Sequence, residues 1–260
     1  MPTDPSLLVI GHGSRDPNGV AEYWRFVDLV ARTADVPVGG GFIELAEPDL
    51  DTAIDKLVAD GAEHVVGVPL VLLGAGHMKV DGPAALERGR GRHPDVRFDY
   101  GRALGIHPLV LDAAADRIPR DSDAVVVVGR GSSDPDANAD LYKISRLLQD
   151  ATDVAIVEPA FVSLADPRVP VAIERCRRLG AAQVAVVPYL LFTGVLVERI
   201  GDQARADGAT VHPHLGVDPR LVELVLERYR EALDGEARMN CDGCKYRLAA
   251  ATHVHDHDKH

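Results

Sequence analysis

The chain states its architecture twice, and this internal repeat limits what it can fold into more than any other feature. "LLVIGHGSRDP", Leu7 to Pro17, returns as "VVVVGRGSSDP", Val125 to Pro135. Gly11 pairs with Gly129, Ser14 with Ser132, and Asp16-Pro17 with Asp134-Pro135. "GFIELAEP" (Gly41 to Pro48) pairs with "AFVSLADP" (Ala160 to Pro167), and "GAEHVVGVPLVLL" (Gly61 to Leu73) with "GAAQVAVVPYLLF" (Gly180 to Phe192). "LGIHP" (Leu104 to Pro108) pairs with "LGVDP" (Leu215 to Pro219). Four anchors in one order, offset by about 110 to 120 residues, describe two tandem copies of one unit.

Each copy reads as alternating strand and helix. In the first, short valine-rich apolar runs predict strands near Leu7–Ile10, Val36–Ile43, His64–Leu72 and Val96–Tyr100, as parallel strands covered on both faces require. Between the second and third lies an amphipathic helix. Leu50, Ala53, Ile54, Leu57 and Val58 recur at helical spacing, and Gly61 stops it. The expected fold class is therefore α/β: two tandem lobes, each a four-stranded parallel sheet flanked by helices, with a cleft between them. The repeat divides the chain into a first lobe at 1–119, a second at 120–235, and a Cys/His-rich tail at 236–260, expected to be flexible.

Ligands of open α/β sheets bind beyond the carboxyl ends of the strands. Three reactive side chains of the first copy fall there: His12 after strand one, Glu44 after strand two and His77 after strand three. Imidazole and carboxylate suit a first-row metal ion and also accept protons near neutrality. Taken singly, each has a plainer reading as a cap or a solvated group, and "GHGS" also reads as an anion-binding turn at a helix N-terminus. The repeat argues for function: His12 becomes Arg130, Glu44 becomes Ser163 and His77 becomes Leu196, while most backbone-directing glycines and prolines stay. Residues needed for folding would be needed in both copies.

Bulk properties narrow the partners. The 260-residue chain is 46% hydrophobic and 26% charged, enough for a substantial core, and no apolar run approaches the roughly 18 residues of a membrane span. A net charge of −12 argues against nucleic acid or an anionic membrane as partner. The start, "MPTDPSLL", lacks the pattern of a secretory signal, so a cytoplasmic location is expected. Three cysteines, Cys176, Cys241 and Cys244, do not make a disulfide framework.

The quoted segments, with "VPLVLLGAGHMKVDGPAAL" and "VPYLLFTGVLVERI", resemble the sirohydrochlorin chelatases of the CbiX/SirB group, the class II tetrapyrrole chelatases, over nearly the whole chain. The resemblance implies ATP-independent insertion of a divalent metal, Co²⁺ or Fe²⁺, into sirohydrochlorin for cobalamin or sirohaem. It puts the active-site histidines at His12 and His77 and an acidic partner at Glu44. N/O ligands of this kind take Fe²⁺, Co²⁺ and Ni²⁺ alike. Ser14, Arg15, Lys79, Arg130 and Arg199 come from turns expected to line the cleft and to meet the substrate's carboxylates; a solvated surface role for Arg130 stays open. "MNCDGCKYR" resembles a segment of some long CbiX proteins associated with an iron–sulfur centre, and two thiolates per chain fall short of a four-cysteine cluster. The competing readings for Cys241 and Cys244 are a zinc or metal-handling pair and a redox dithiol, with metal or cluster binding favoured. "HVHDHDKH" offers His253, His255 and His257 as metal collectors. The alternative from another class is a non-catalytic metal chaperone or storage protein, and either a monomer or a homodimer is compatible with the chain.

Overall fold

The computed structural model describes residues 5–74 and 76–235, without the side chains of 76–79. The first copy runs β1 (Ser6–Gly11), α1 (Pro17–Thr33), β2 (Val38–Phe42), α2 (Leu50–Ala59), β3 (His64–Pro69), α3 (Gly76–Arg92), β4 (Arg97–Tyr100) and α4 (Pro108–Ala115). The second repeats it as β5 (Ala124–Gly129), α5 (Pro135–Ala151), β6 (Ile156–Phe161), α6 (Val169–Arg178), β7 (Val184–Pro188), α7 (Val195–Ala206), β8 (Thr210–Val211) and α8 (Pro219–Leu233). Two four-stranded sheets result, ordered β2-β1-β3-β4 and β6-β5-β7-β8, with every pairing parallel. The registers match as well, Gly11 lying opposite Phe42 and Gly129 opposite Phe161.

The apolar runs make strands because both faces of each sheet are covered. Along β1, Leu7 and Val9 point into one core while Leu8 and Ile10 point into another, and all four are fully buried. Helix starts are set by side chains. Asp16 accepts the Asn18 amide at 2.9 Å ahead of Pro17, and Asp134 repeats the cap with Asp136 at 3.0 Å. Asp49 caps α2 through Thr52 at 2.8 Å, and Gly61, on positive φ, takes the chain out of it as expected.

The last helix does not stay with its own copy. α8 packs on α1 and on β3 and β4 of the first sheet, while α4, which closes the first copy, packs on α5 and α8. Arg228 of α8 is fully buried there. It donates to the carbonyls of Ala103 (3.2 Å) and Leu104 (3.1 Å), and pairs with Glu231 at 2.8 Å; Arg102 meets Glu231 at 2.7 Å. The largest core is accordingly shared, with Leu7, Val9, Val125, Val127, Leu221 and Val225 in one cluster. The lobes are interleaved as well as fused.

Candidate active site

The loop after β1 is locked to the loop after β2 through the backbone. The Ile43 amide donates to Gly11 O at 2.9 Å and the Glu44 amide to His12 O at 3.1 Å. Gly13 sits at φ 97°, and a Cβ there would lie 1.7 Å from the Glu44 carbonyl oxygen. Only glycine allows this approach. The two loops thereby bring His12 Nε2 to 3.4 Å from Glu44 Oε1, with both side chains partly open to solvent. His12 Nδ1 is 3.4 Å from Gly13 O. An accessible imidazole beside a carboxylate supplies two N/O donors for a divalent ion, and two proton acceptors.

β3 lies next to β1 on the side opposite β2, so α3 starts at the same carboxyl edge. His77 is the second residue of α3; its side chain, like that of Lys79, lies outside the described residues. Among the described residues, no three His, Cys, Asp or Glu side chains gather to hold a metal. Among the described side chains, His12 and Glu44 are thus a two-donor set.

The second lobe keeps the frame without the His–Glu pair. The Ser163 amide donates to Arg130 O at 3.0 Å, and a Cβ on Gly131 (φ 85°) would lie 2.2 Å from Ser163 O. Arg130 is exposed, and Leu196 packs against the apolar core beneath α7. The glycines hold the backbone in both copies, and the side chain they frame is free to differ.

The second lobe also forms a wall beside Ser14 and the start of α1. A Cβ on Gly19 would meet the Thr193 carbonyl oxygen at 2.7 Å, and one on Gly194 would lie 3.7 Å from Ser14 Oγ. The buried Glu22 of α1 fastens this contact, accepting the Thr193 amide at 2.6 Å and facing His214 Nε2 at 3.0 Å. Glu22 was not singled out by the sequence, where it reads as one more acidic residue on a helix.

The CbiX family profile matches residues 6–121 and again residues 124–232. The chain belongs to the CbiX family. It is 40% identical over 270 aligned residues to the sirohydrochlorin cobaltochelatase of Priestia megaterium, covering 97% of this chain and 88% of that one. Identity with the sirohydrochlorin ferrochelatase of Bacillus subtilis (strain 168) is 35% over 257 residues, covering 94% and 98%. Among solved structures, SirB from Bacillus subtilis with Fe3+ matches at a TM-score of 0.79 with 34% identity, over 90% of this chain and 98% of that one. SirB from Bacillus subtilis subspecies spizizenii in complex with cobalt matches at 0.75, also at 34% identity, over 88% and 94%.

Of the residues read as substrate contacts in this CbiX chain, Ser14 is engaged locally. Its hydroxyl accepts the Asp16 amide at 3.0 Å, and Ser132 does the same for Asp134, so the hydroxyl shapes the turn in both copies. Arg15, Arg130 and Arg199 are exposed on three elements: the loops after β1 and β5, and α7. Arg15 borders a pocket of about 500 Å³ with Ser14, Trp24 and Leu45. Three further histidines pair with carboxylates: His64 with Asp99 (2.8 Å), His93 with Asp55 (2.7 Å), and His107 with Glu227 (3.4 Å). Burial pushes the His107 pKa down and the Cys176 thiol up to about 11, which keeps that thiol inert. Cys241, Cys244, His253, His255 and His257 lie outside the described residues. Among those described, no helix is long and apolar enough to cross a membrane.

Proposed function

We propose that this protein is a sirohydrochlorin chelatase, inserting Co²⁺ or Fe²⁺ into the tetrapyrrole without ATP. The observation that carries this reading is the His12–Glu44 pair, built at the carboxyl edge of one lobe and absent from the same frame in the other. Relatives named as cobaltochelatase and ferrochelatase support both metals as substrates, and the same donors suit Ni²⁺.

Metallation exchanges one M²⁺ for two pyrrole protons, so the site must receive a hydrated cation and dispose of two protons. His12 Nε2 and Glu44 Oε1 take metal-bound water's place as the ion arrives, with His77 as third donor. As the ion passes to the ring, the freed imidazole and the carboxylate 3.4 Å away each accept one of the two pyrrole protons and release it to solvent. Arg15, Arg130 and Arg199, with Lys79 and Ser14, meet peripheral carboxylates on a chain whose net charge of −12 would otherwise repel them. The working division is a catalytic lobe at 1–119, a degenerate lobe at 120–235 and a tail at 236–260, whose Cys241, Cys244, His253, His255 and His257 collect metal or hold a cluster. The protein acts in the cytoplasm.

The test is anaerobic absorbance spectroscopy of sirohydrochlorin mixed with Co²⁺ or Fe²⁺. A catalytic amount of protein accelerates conversion to the metallated spectrum over the uncatalysed rate. Binding of metal with no acceleration would make the protein a metal carrier instead.

A further inference from the structure

Leucines of this protein are mostly buried, yet Leu45 and Leu164 stand 44% and 60% exposed. They occupy the same place in the two copies, just past β2 and β6. Both sit on left-handed backbone, at φ 66° and 51°, and are the non-glycine residues with positive φ among the described residues. Glycine or asparagine meets that geometry at lower cost than leucine. Folding accounts for neither feature, because an exposed side chain buries little and its type is disfavoured by the turn it occupies. The neighbouring position changed from Glu44 to Ser163 between the copies, and the leucine stayed.

Leu45 also has company. It walls the pocket of about 500 Å³ together with Trp24, Val20 and Ala46, and Arg15 and Ser14 form the polar rim. Its chain neighbour Glu44 carries the carboxylate that meets His12, so one loop supplies both a pocket wall and a member of the reactive pair. In the second lobe Tyr142 holds the place of Trp24 and is 48% exposed. Val80 and Val195, early in α3 and α7, are exposed beyond the carboxyl ends of β3 and β7.

A flat apolar face bordered by anions is the ligand chemistry that an apolar pocket with a basic rim complements. We infer that Leu45 and Trp24 seat the face of the tetrapyrrole macrocycle, that Arg15 pairs with a carboxylate at its edge, and that Leu164 extends the apolar contact from the second lobe. This rests on the sirohydrochlorin reading and assigns the residues that hold the ring while His12 and Glu44 act on its centre.

Four variants test it: Leu45→Gly, Leu45→Asn, Leu45→Met and Leu164→Asn. Each is measured for the Kd of metal-free sirohydrochlorin by fluorescence titration, for Tm, and for kcat and KM of Co²⁺ insertion. The glycine and asparagine variants at 45 are expected to raise Kd roughly tenfold, from loss of one buried leucine face. Their Tm stays level or rises, because the left-handed turn is relieved, and the loss of Co²⁺ insertion is carried by KM more than by kcat. Leu45→Met restores the affinity, and Leu164→Asn weakens it in the same direction as Leu45→Asn. Wild-type Kd in both Leu45→Gly and Leu45→Asn would overturn the inference. A fall in Tm accompanying the lost affinity in both would do so too, since Leu45 would then be a folding residue. Wild-type protein that binds no sirohydrochlorin removes the functional reading itself, and the inference with it.

Discussion

Glu22 in α1 accepts the backbone amide of Thr193 at 2.6 Å, joining the first lobe to the loop after β7 in the second. His214 Nε2 lies 3.0 Å from the same carboxylate oxygen, and the exposed Arg25 reaches only 4.0 Å from the other. A buried carboxylate with an amide and an imidazole as partners leaves both unsatisfied when it is cut away. Glu22→Ala is therefore expected to lose about 2 kcal/mol of unfolding free energy in urea. It should also raise the KM for sirohydrochlorin, because the wall beside Ser14 is no longer held. Glu22→Gln keeps an acceptor for Thr193 and should lose about half as much. Equal KM in Glu22→Ala and wild type would show that this clamp does not shape the site.

A matched pair of glycine variants separates backbone damage from chemical damage. Gly13→Ala forces a Cβ against the Glu44 carbonyl, and Gly131→Ala forces one against the Ser163 carbonyl, each on a positive φ. Both should cost at least about 1 kcal/mol of stability. Gly13→Ala should also lower metal insertion by roughly a hundredfold, because it separates His12 from Glu44. Gly131→Ala should retain turnover within roughly threefold, as no reactive group depends on it. Equal loss of activity in the two variants would place the chemistry elsewhere.

Acid sensitivity should report on the lobe junction. Asp218 is buried and its pKa is held well below the usual carboxylate range, first by the hydrogen bonds of Arg220 and then by Arg117, whose Nη1 is 2.8 Å away. A carboxylate depressed in the folded state adds stability that is full above its unfolded pKa of about 4 and drains away as pH falls through the folded value. Urea unfolding from pH 7 to pH 3 should thus show wild-type stability falling below about pH 4. Asp218→Asn should be less stable at pH 7 and show a shallower decline over that acid range. Parallel pH profiles would remove Asp218 as the source.

Much of this architecture was legible in the residues themselves. The valine-rich β1 and β5, the Asp16 and Asp134 caps and the Gly61 stop are local signals, and each did what its chemistry dictates. The site's frame was legible for another reason: the second copy shows which residues the backbone needs, and His12 and Glu44 stand out as those it does not. The destination of α8 was hidden. An amphipathic pattern says that a helix has an apolar face, and nothing in Leu221, Val225 or Tyr229 says that the face covers the other copy's sheet. Glu22 was hidden for a similar reason, its role depending on Thr193, which lies 171 residues away. Leu45 left a signal in the repeat of "IELAEP" as "VSLADP", but its left-handed backbone and exposure belong to three dimensions.

The measurement closest to the central claim compares two residues in one frame. Initial rates of anaerobic Co²⁺ insertion into sirohydrochlorin are recorded for wild type, His12→Ala, Glu44→Gln and Arg130→Ala, with Tm for each. The account predicts at least a hundredfold loss in His12→Ala and roughly tenfold or more in Glu44→Gln, with Tm little changed because both side chains are solvent-facing. Arg130→Ala should alter KM more than kcat. Full turnover in His12→Ala, or an equal collapse of kcat in Arg130→Ala, would contradict it.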